Sequence, residues 1–281
     1  MKQHIQPLLT FAAVAVVTVM LALSIRTMTS SIVFAQQASA SKPAPAHRGG
    51  FTQPDPVDFN DHTGWTQIFD GKSLKGWNGS PDVWHVEDGA IVGVSSPEHP
   101  SGTTNIIWKG GEPANFELKV EMKLEGSGAN GGIQYRSQYV PPTPEQLQKQ
   151  KYPKWNIRGY QADFDYGNTY TGQLYEQSSP RGIVAWRGQI VQTDPDVPHR
   201  LLGLLASSDE LKSYIKVGDW NQYEIIADGN TLIHIINGHV MAVLVDNDPA
   251  FSQKKGLIAF EIEGGGNVKI SHRNVWLKIL P

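Results

Sequence analysis

The sequence predicts an all-β fold, a two-sheet antiparallel β-sandwich of the jelly-roll type with its site on a concave face. Three observations predict it. In NFELKVEMKLEG, residues 115–126, Phe116, Leu118, Val120, Met122 and Leu124 share one parity and Glu117, Lys119, Glu121, Lys123 and Glu125 the other, the period of a half-buried strand. Asp70-Gly71, Asp88-Gly89, Asp228-Gly229 and Asn237-Gly238 separate runs of this kind, and connections so short force antiparallel neighbours. A dozen or so short strands then need two packed sheets, and no fixed-period repeat marks a propeller.

Taken in order, residues 7–25 form an apolar run behind Lys2 that leads to SIVFAQQASA, with small residues at Ala35, Ala38 and Ala40. Residues 1–35 read as an export signal, the rival being an uncleaved membrane anchor followed by Arg26. The expected location is periplasmic or extracellular. Residues 36–50, QQASASKPAPAHRGG, have the composition of a disordered linker, and residues 51–281 make up the sandwich domain. Its further strands are expected in WTQIF, VWHVE, AIVGV, GGIQYRSQYV, GYQADF, GQLYEQ, GIVAW, QYEIIAD, TLIHII, HVMAVLV, GLIAFEIE and VKISHRNVWLKIL. Two short helices are expected: one within residues 141–155, where Thr143 precedes Pro144, and one from Ser207, with Glu210 three residues on as in a capping box.

Composition narrows the chemistry. The chain has no cysteine, so disulfides, thiolate nucleophiles and Cys-bound zinc are excluded, and the core alone must hold an exported fold. The net charge is −3. Loss of residues 1–35 removes two positive charges and no negative one, giving −5. A mildly acidic domain predicts no nucleic-acid partner, and no membrane insertion of the mature domain is expected.

The motifs WTQIFDGKSLKGW, WHVEDGAIVG, NGGIQYRS, GYQADF, LYEQ, GDWNQYEIIADGNTLIHIINGHVMA and the closing GLIAFEIEGG to VKISHRNVWLKIL stand in order between Gly64 and Leu280. Together they resemble the 3-keto-disaccharide hydrolase family. The resemblance implies a concanavalin-like jelly roll and activity on glycosides oxidised at carbon 3 of the sugar, cleaved by elimination in some members, with a divalent metal as an assistant. One segment departs from the family pattern. Phe260-Glu261-Ile262-Glu263 puts a carboxylate where relatives commonly carry a histidine.

Parity gathers the candidate site. In residues 130–139, Ile133 and Tyr135 oppose Gln134 and Arg136; in residues 159–164, Tyr160, Ala162 and Phe164 oppose Gln161 and Asp163. In residues 172–177, Leu174 and Glu176 oppose Gln173 and Tyr175, and in residues 256–263, Ile258, Phe260 and Ile262 oppose Glu261 and Glu263. The polar faces are expected to meet in one hollow. A ketone at carbon 3 acidifies the proton at carbon 2, so the implied chemistry needs a base, a group to hold the enolate and an acid for the leaving oxygen. Asp163, Glu176, Glu261 and Glu263 are the catalytic candidates; Gln134, Arg136, Gln161, Tyr175, Arg181, Trp108 and Lys109 are the substrate-binding ones. The substrate partner expected is an oxidised sugar. Clustered carboxylates also suit a divalent cation, the one cofactor this reading allows for. Trp155 and Trp186 are further stacking candidates, Asp165 reads as entering a turn, and His234 and His239 read as strand-surface residues.

Two other readings stay open: a non-catalytic carbohydrate-binding module, and a conventional jelly-roll glycoside hydrolase. Glu261 and Glu263 share a strand face, but the aspartate between paired glutamates that marks laminarinase-type enzymes is absent.

Overall fold

The computed structural model describes residues 58–281. The expected export signal and linker lie outside the described residues. Within them the chain is almost entirely strand: β1 (Thr66–Gln67), β2 (Trp77–Asn78), β3 (Trp84–Glu87), β4 (Ala90–Ser95), β5 (Gly102–Trp108), β6 (Phe116–Glu125), β7 (Asn130–Tyr139), β8 (Ile157–Asp165), β9 (Leu174–Gln177), β10 (Gly182–Ala185), β11 (Gln189–Asp194), β12 (Val197–Leu204), β13 (Asn221–Asp228), β14 (Thr231–Ile236), β15 (His239–Asp246), β16 (Leu257–Gly264) and β17 (Val268–Ile279). Two short α-helices interrupt them, α1 (Pro144–Lys149) and α2 (Ser208–Lys212), with one 3-10 turn at Pro153–Trp155. Thr143 and Gln146 close a reciprocal capping box on the first, and the Ser207 side chain caps the second.

The strands form a two-sheet sandwich. One sheet runs β12-β11-β15-β14-β13-β6-β17-β4-β3, with β1 added to β17; the other runs β10-β9-β8-β7-β16-β5-β2. Every pairing is antiparallel except β11 with β15, which departs from the antiparallel expectation because β12 and its hairpin partner β11 add to the sheet from outside the β13–β15 meander. Strands β5, β11 and β12 lie outside the expected set, because their residues carry no clean alternation.

The strands alternate because both sheets bury one face against the other. Leu118, Val120, Met122, Tyr223 and Ile225 of the larger sheet and Ile133, Ala162, Phe260 and Ile262 of the smaller are all fully buried, each Leu, Val, Ile, Met or Phe side chain among them contributing about 1.5–3 kcal/mol. The outer face of β6 is not left to water as its charges suggest. Residues 58–65 fold over it, and Lys119 Nζ donates to the carbonyls of Asp58 (3.0 Å) and Asp61 (2.9 Å) above the Trp65 ring. Among the described residues no helix is long and apolar enough to cross a membrane.

Candidate active site

The outer face of the smaller sheet carries the polar residues. Register aligns Asn105 of β5, Glu261 of β16, Gly132 of β7 and Asp163 of β8 in one row across four strands. The neighbouring row places Gln134 beside Gln161, and Gln161 beside Tyr175 of β9. A cleft of about 400 Å³ opens here, lined by Asn130, Gln161, Asp163, Tyr170, Gln173, Tyr175, Gln177, Ile183 and Glu263.

Gly132 makes the arrangement possible. A Cβ there would lie 2.6 Å from the Ala162 carbonyl oxygen and 3.0 Å from Cγ and Nε2 of Gln161. Without it, the Gln161 amide lies across the row and its Nε2 donates to Glu261 Oε2 (2.7 Å) and Asp163 Oδ1 (3.0 Å). Gln161 Oε1 in turn accepts from Gln134 Nε2 at 3.0 Å. Gln173 Nε2 donates to the other Asp163 oxygen at 2.6 Å, and Gln177 Nε2 to Glu261 Oε1 at 3.1 Å. Two carboxylates are thus tied through one amide and held by others, with no cation among their hydrogen-bond partners. Gly132→Ala is expected to lower stability by about 1–3 kcal/mol, as overpacking does, and to lower activity further by displacing Gln161. Denaturant midpoints and turnover of the folded fraction check both.

That environment disfavours charge. Asp163 is 7% exposed and Glu261 1%. Burial raises the Asp163 carboxyl to about 7; the Gln173 hydrogen bond works against this, and the charges of Asp165 and Glu263 add to it. Burial, then Glu263 and Asp163, raises Glu261 to about 8. Tyr175 is half-buried, and burial followed by the same carboxylates raises its phenol, so it keeps its proton.

The folded protein therefore holds protons here that the unfolded chain releases, so stability is greatest at low pH and falls as pH rises through the folded values. Burial lowers His234 to about 4 and His272 to about 3. These histidines act in the opposite direction, losing stability as pH falls below about 6.5. The carboxylate effect is accordingly read between about pH 6.5 and 8. Melting temperature is expected to decline across that window, and the decline to shrink in Asp163→Asn and in Glu261→Gln.

Several expected residues lie elsewhere. Arg136 does not share a face with Gln134, because β7 bulges between Tyr135 and Gln138 and Arg136 adopts φ 47°. Its guanidinium turns away to the carbonyls of Ala114 (2.8 Å), Gly229 (2.7 Å) and Gln253 (3.3 Å), where it clamps loops. Glu176 points inward with Leu174, as its parity requires, and is fully buried. Arg181 is buried with it, its Nε 2.5 Å from Glu176 and its Nη2 2.8 Å from Asp246. Trp108 ends β5 and Lys109 follows it, and neither lines the cleft. Trp108 lines a separate hollow with Thr66, Ile68 and Leu277, and Lys109 is exposed. Trp155 is buried in the core.

His234 is not a surface residue either. It is fully buried, its Nδ1 3.1 Å from the Gln173 carbonyl and its Nε2 2.8 Å from the Tyr135 hydroxyl. The carbonyl can only accept, so the proton sits on Nδ1, and the ring anchors the backbone that aims Gln173 at Asp163. Asp165 does enter a turn, its carboxylate accepting from the backbone of Thr169, Tyr170 and Thr171.

The structure brings together Gln134, Gln161, Asp163, Tyr175, Glu261 and Glu263 from the expected set. It adds Asn130, Tyr170, Gln173, Gln177 and Ile183. Gln173, Tyr175 and Gln177 share one parity in QLYEQ, a signal that was present in the sequence; Tyr170 and Ile183 carry no such mark. The expected cation does not suit this donor set. Among the described residues no three His, Cys, Asp or Glu side chains converge as a metal site, and the Asp163 and Glu261 oxygens are taken up by amide donors. The chemistry this cleft can perform is proton transfer between buried carboxyl groups and a bound ligand.

The fold and this cleft define a β-sandwich with a buried carboxylate pair on one outer sheet face. The chain belongs to the 3-keto-alpha-glucoside-1,2-lyase-like domain family, whose profile matches residues 64–278. It is 37% identical over 92 residues to a 3-keto-disaccharide hydrolase of Bacteroides thetaiotaomicron, a match covering 30% of this chain and 30% of that relative's length. Among solved structures it is similar to a provisionally named glycosyl hydrolase from Parabacteroides distasonis, with 20% identity over 78% of this chain and 95% of that one (TM-score 0.47). It is also similar to carbohydrate-binding module CBM66 from Bacillus subtilis, with 13% identity over 72% and 95% (TM-score 0.45).

Proposed function

We propose that this protein cleaves 3-keto-glycosides by elimination, with Asp163 as the base. The observation that carries the reading is a carboxyl group at the cleft wall whose burial raises it to about 7, poised to take a proton near neutral pH. The Asp163 carboxylate removes the proton at carbon 2, and the electron pair moves into a C2–C3 enolate with its charge on the former ketone oxygen. As the ketone re-forms, the pair shifts into a C1–C2 double bond and the bond from C1 to the leaving oxygen breaks. Tyr175, protonated and lining the same cleft, supplies the proton to that oxygen. Addition of water, with OH to C1 and H to C2, returns a 3-keto sugar and makes the net reaction a hydrolysis.

Glu261 lies behind Gln161 and does not line the cleft. Its role is positional: it holds the amide that holds Asp163. Turnover is expected to rise with pH through about 7, as Asp163 ionises, and to fall at higher pH as the acid loses its proton. Incubation with a 3-keto-disaccharide and with its unoxidised parent tests the reading. Cleavage of the keto sugar alone supports it, cleavage of both indicates a conventional glycoside hydrolase, and binding without cleavage indicates a binding module. We also propose that the protein acts outside the cytoplasm, on the strength of the apolar run at residues 7–25; recovery of the full chain in the cytoplasmic fraction would exclude this.

A further inference from the structure

Two large aromatic side chains stand in solvent at the β10 end of the cleft. Tyr170, on the loop between β8 and β9, lines the cleft and is 41% exposed; Trp186, just beyond β10, is 46% exposed. Their ring centroids lie 6.4 Å apart at 39°. Exposed aromatics on loops lose contact area and gain nothing from the core, so their fixed placement calls for a reason.

The placement is fixed from both sides. Arg187, the residue after Trp186, is buried and spends its guanidinium on the loop that carries Tyr170: Nη1 donates to the Thr171 carbonyl (2.6 Å) and Asn168 Oδ1 (3.1 Å), and Nη2 to the Asn168 carbonyl (3.2 Å). Its Nε donates to the Ser208 carbonyl (3.3 Å) and Oγ (3.2 Å) at the start of α2; none of these partners is a carboxylate, so a buried cation is committed to uncharged groups, three of its five contacts going to the loop that carries Tyr170. On the other flank, Asp165 gathers the backbone N–H groups of Thr169, Tyr170 and Thr171, and the Trp186 N–H donates to Gln189 Oε1 at 3.0 Å. Two loops are thereby pinned to each other with their aromatic rings outward. Ile183 continues the apolar surface from the rings into the cleft, whereas the opposite end is polar, with Asn130 and Glu263 hydrogen-bonded to each other at 2.8 Å.

We infer that Tyr170 and Trp186 form a stacking shelf for the leaving group, selecting glycosides whose aglycone presents a flat apolar face, as the face of a second pyranose or an arene does. The inference rests on the proposed elimination chemistry for which ring is oxidised, but the shelf itself is a binding claim. A polar 3-keto ring over Asp163 extends its other half toward the rings, and CH–π or π contact with a rigid aromatic gives affinity at little entropic cost.

The test compares the full chain with Trp186→Ala, Trp186→Phe and Tyr170→Ala. The substrates are 3-keto-glycosides bearing methyl, pyranosyl or aryl leaving groups, and calorimetric binding of the unoxidised glycosides is followed in parallel. The preference for ring-bearing over methyl glycosides is expected to fall roughly 3- to 10-fold in Trp186→Ala, in KM more than in kcat, with Trp186→Phe recovering most of it. Loss confined to pyranosyl ligands identifies a sugar as the occupant, and loss confined to aryl ligands an arene. An unchanged preference in both alanine variants overturns the shelf. If the unaltered protein cleaves no 3-keto-glycoside, the elimination reading fails. The binding arm then still decides the shelf, which falls if ring-bearing glycosides bind no tighter than methyl ones.

Discussion

Asp163→Asn is expected to lower kcat/KM on a 3-keto-glycoside by about 10² to 10⁴, the contribution typical of a positioned general base, while leaving the fold intact. The structure explains why such a variant folds. Asp163 accepts from Gln161 on one oxygen and from Gln173 on the other, so an asparagine would set its NH₂ against one of those donors. Gln173 can absorb the change, because its own Oε1 is buried without a partner and rotating the amide would present that acceptor to the new N–H. The variant also removes a carboxyl whose ionisation is resisted by burial, so at pH 8 its melting temperature should match or exceed that of the unaltered protein. Steady-state kinetics with thermal melts on the same samples check both halves. Full turnover in a folded Asp163→Asn would show that the base lies elsewhere.

Arg181→Met should produce the largest loss of stability, about 3–5 kcal/mol, as when one member of a buried ion cluster is removed. Arg181 joins Glu176 and Asp246 inside the sandwich, and Asp246 also accepts from Tyr160 (2.5 Å) and Thr193 (2.6 Å). Burial opposes the arginine's charge, but hydrogen bonds to both carboxylates outweigh it and hold the pKa above the usual value. Without the guanidinium, two carboxylates stay in the core uncompensated. Glu176→Gln is the milder change, since Glu176 Oε1 already lacks a partner. Urea midpoints rank the two. Activity per folded molecule separates this role from catalysis: a loss of 10²-fold or more in folded Glu176→Gln would make Glu176 a base after all, against its position on the inner face.

Much of the architecture was legible because a sheet writes its period of two directly into the chain. Phe116, Leu118, Val120, Met122 and Leu124 alternate in sequence and all face the core, as do Ile258, Phe260 and Ile262. The same parity placed Gln161, Asp163, Glu261 and Glu263 on one face, and register then brought them together. Parity failed where the backbone breaks its own period. Arg136 follows Gln134 by two residues, yet a left-handed residue in the β7 bulge sends it to carbonyls 22 to 117 positions away in the chain. Glu176 shows a different failure. A carboxylate on the parity of Leu174 reads as misplaced until the buried arginine that neutralises it is seen, and Arg181, five residues on, meets it because the chain turns back between β9 and β10.

From the sequence by itself came the two-sheet class, the acidic and amide face, both helix caps and the lack of any thiol chemistry, all properties that follow from local alternation, local capping and composition. Only the tertiary structure decided which charges lie inside, that Gly132 vacates the space through which one amide joins two carboxyls, and that Tyr170 and Trp186 meet at the cleft's edge. The reason is physical: side-chain direction along a strand repeats every two residues and needs no partner, whereas desolvation, bulges and loop clamps depend on groups supplied by distant parts of the chain.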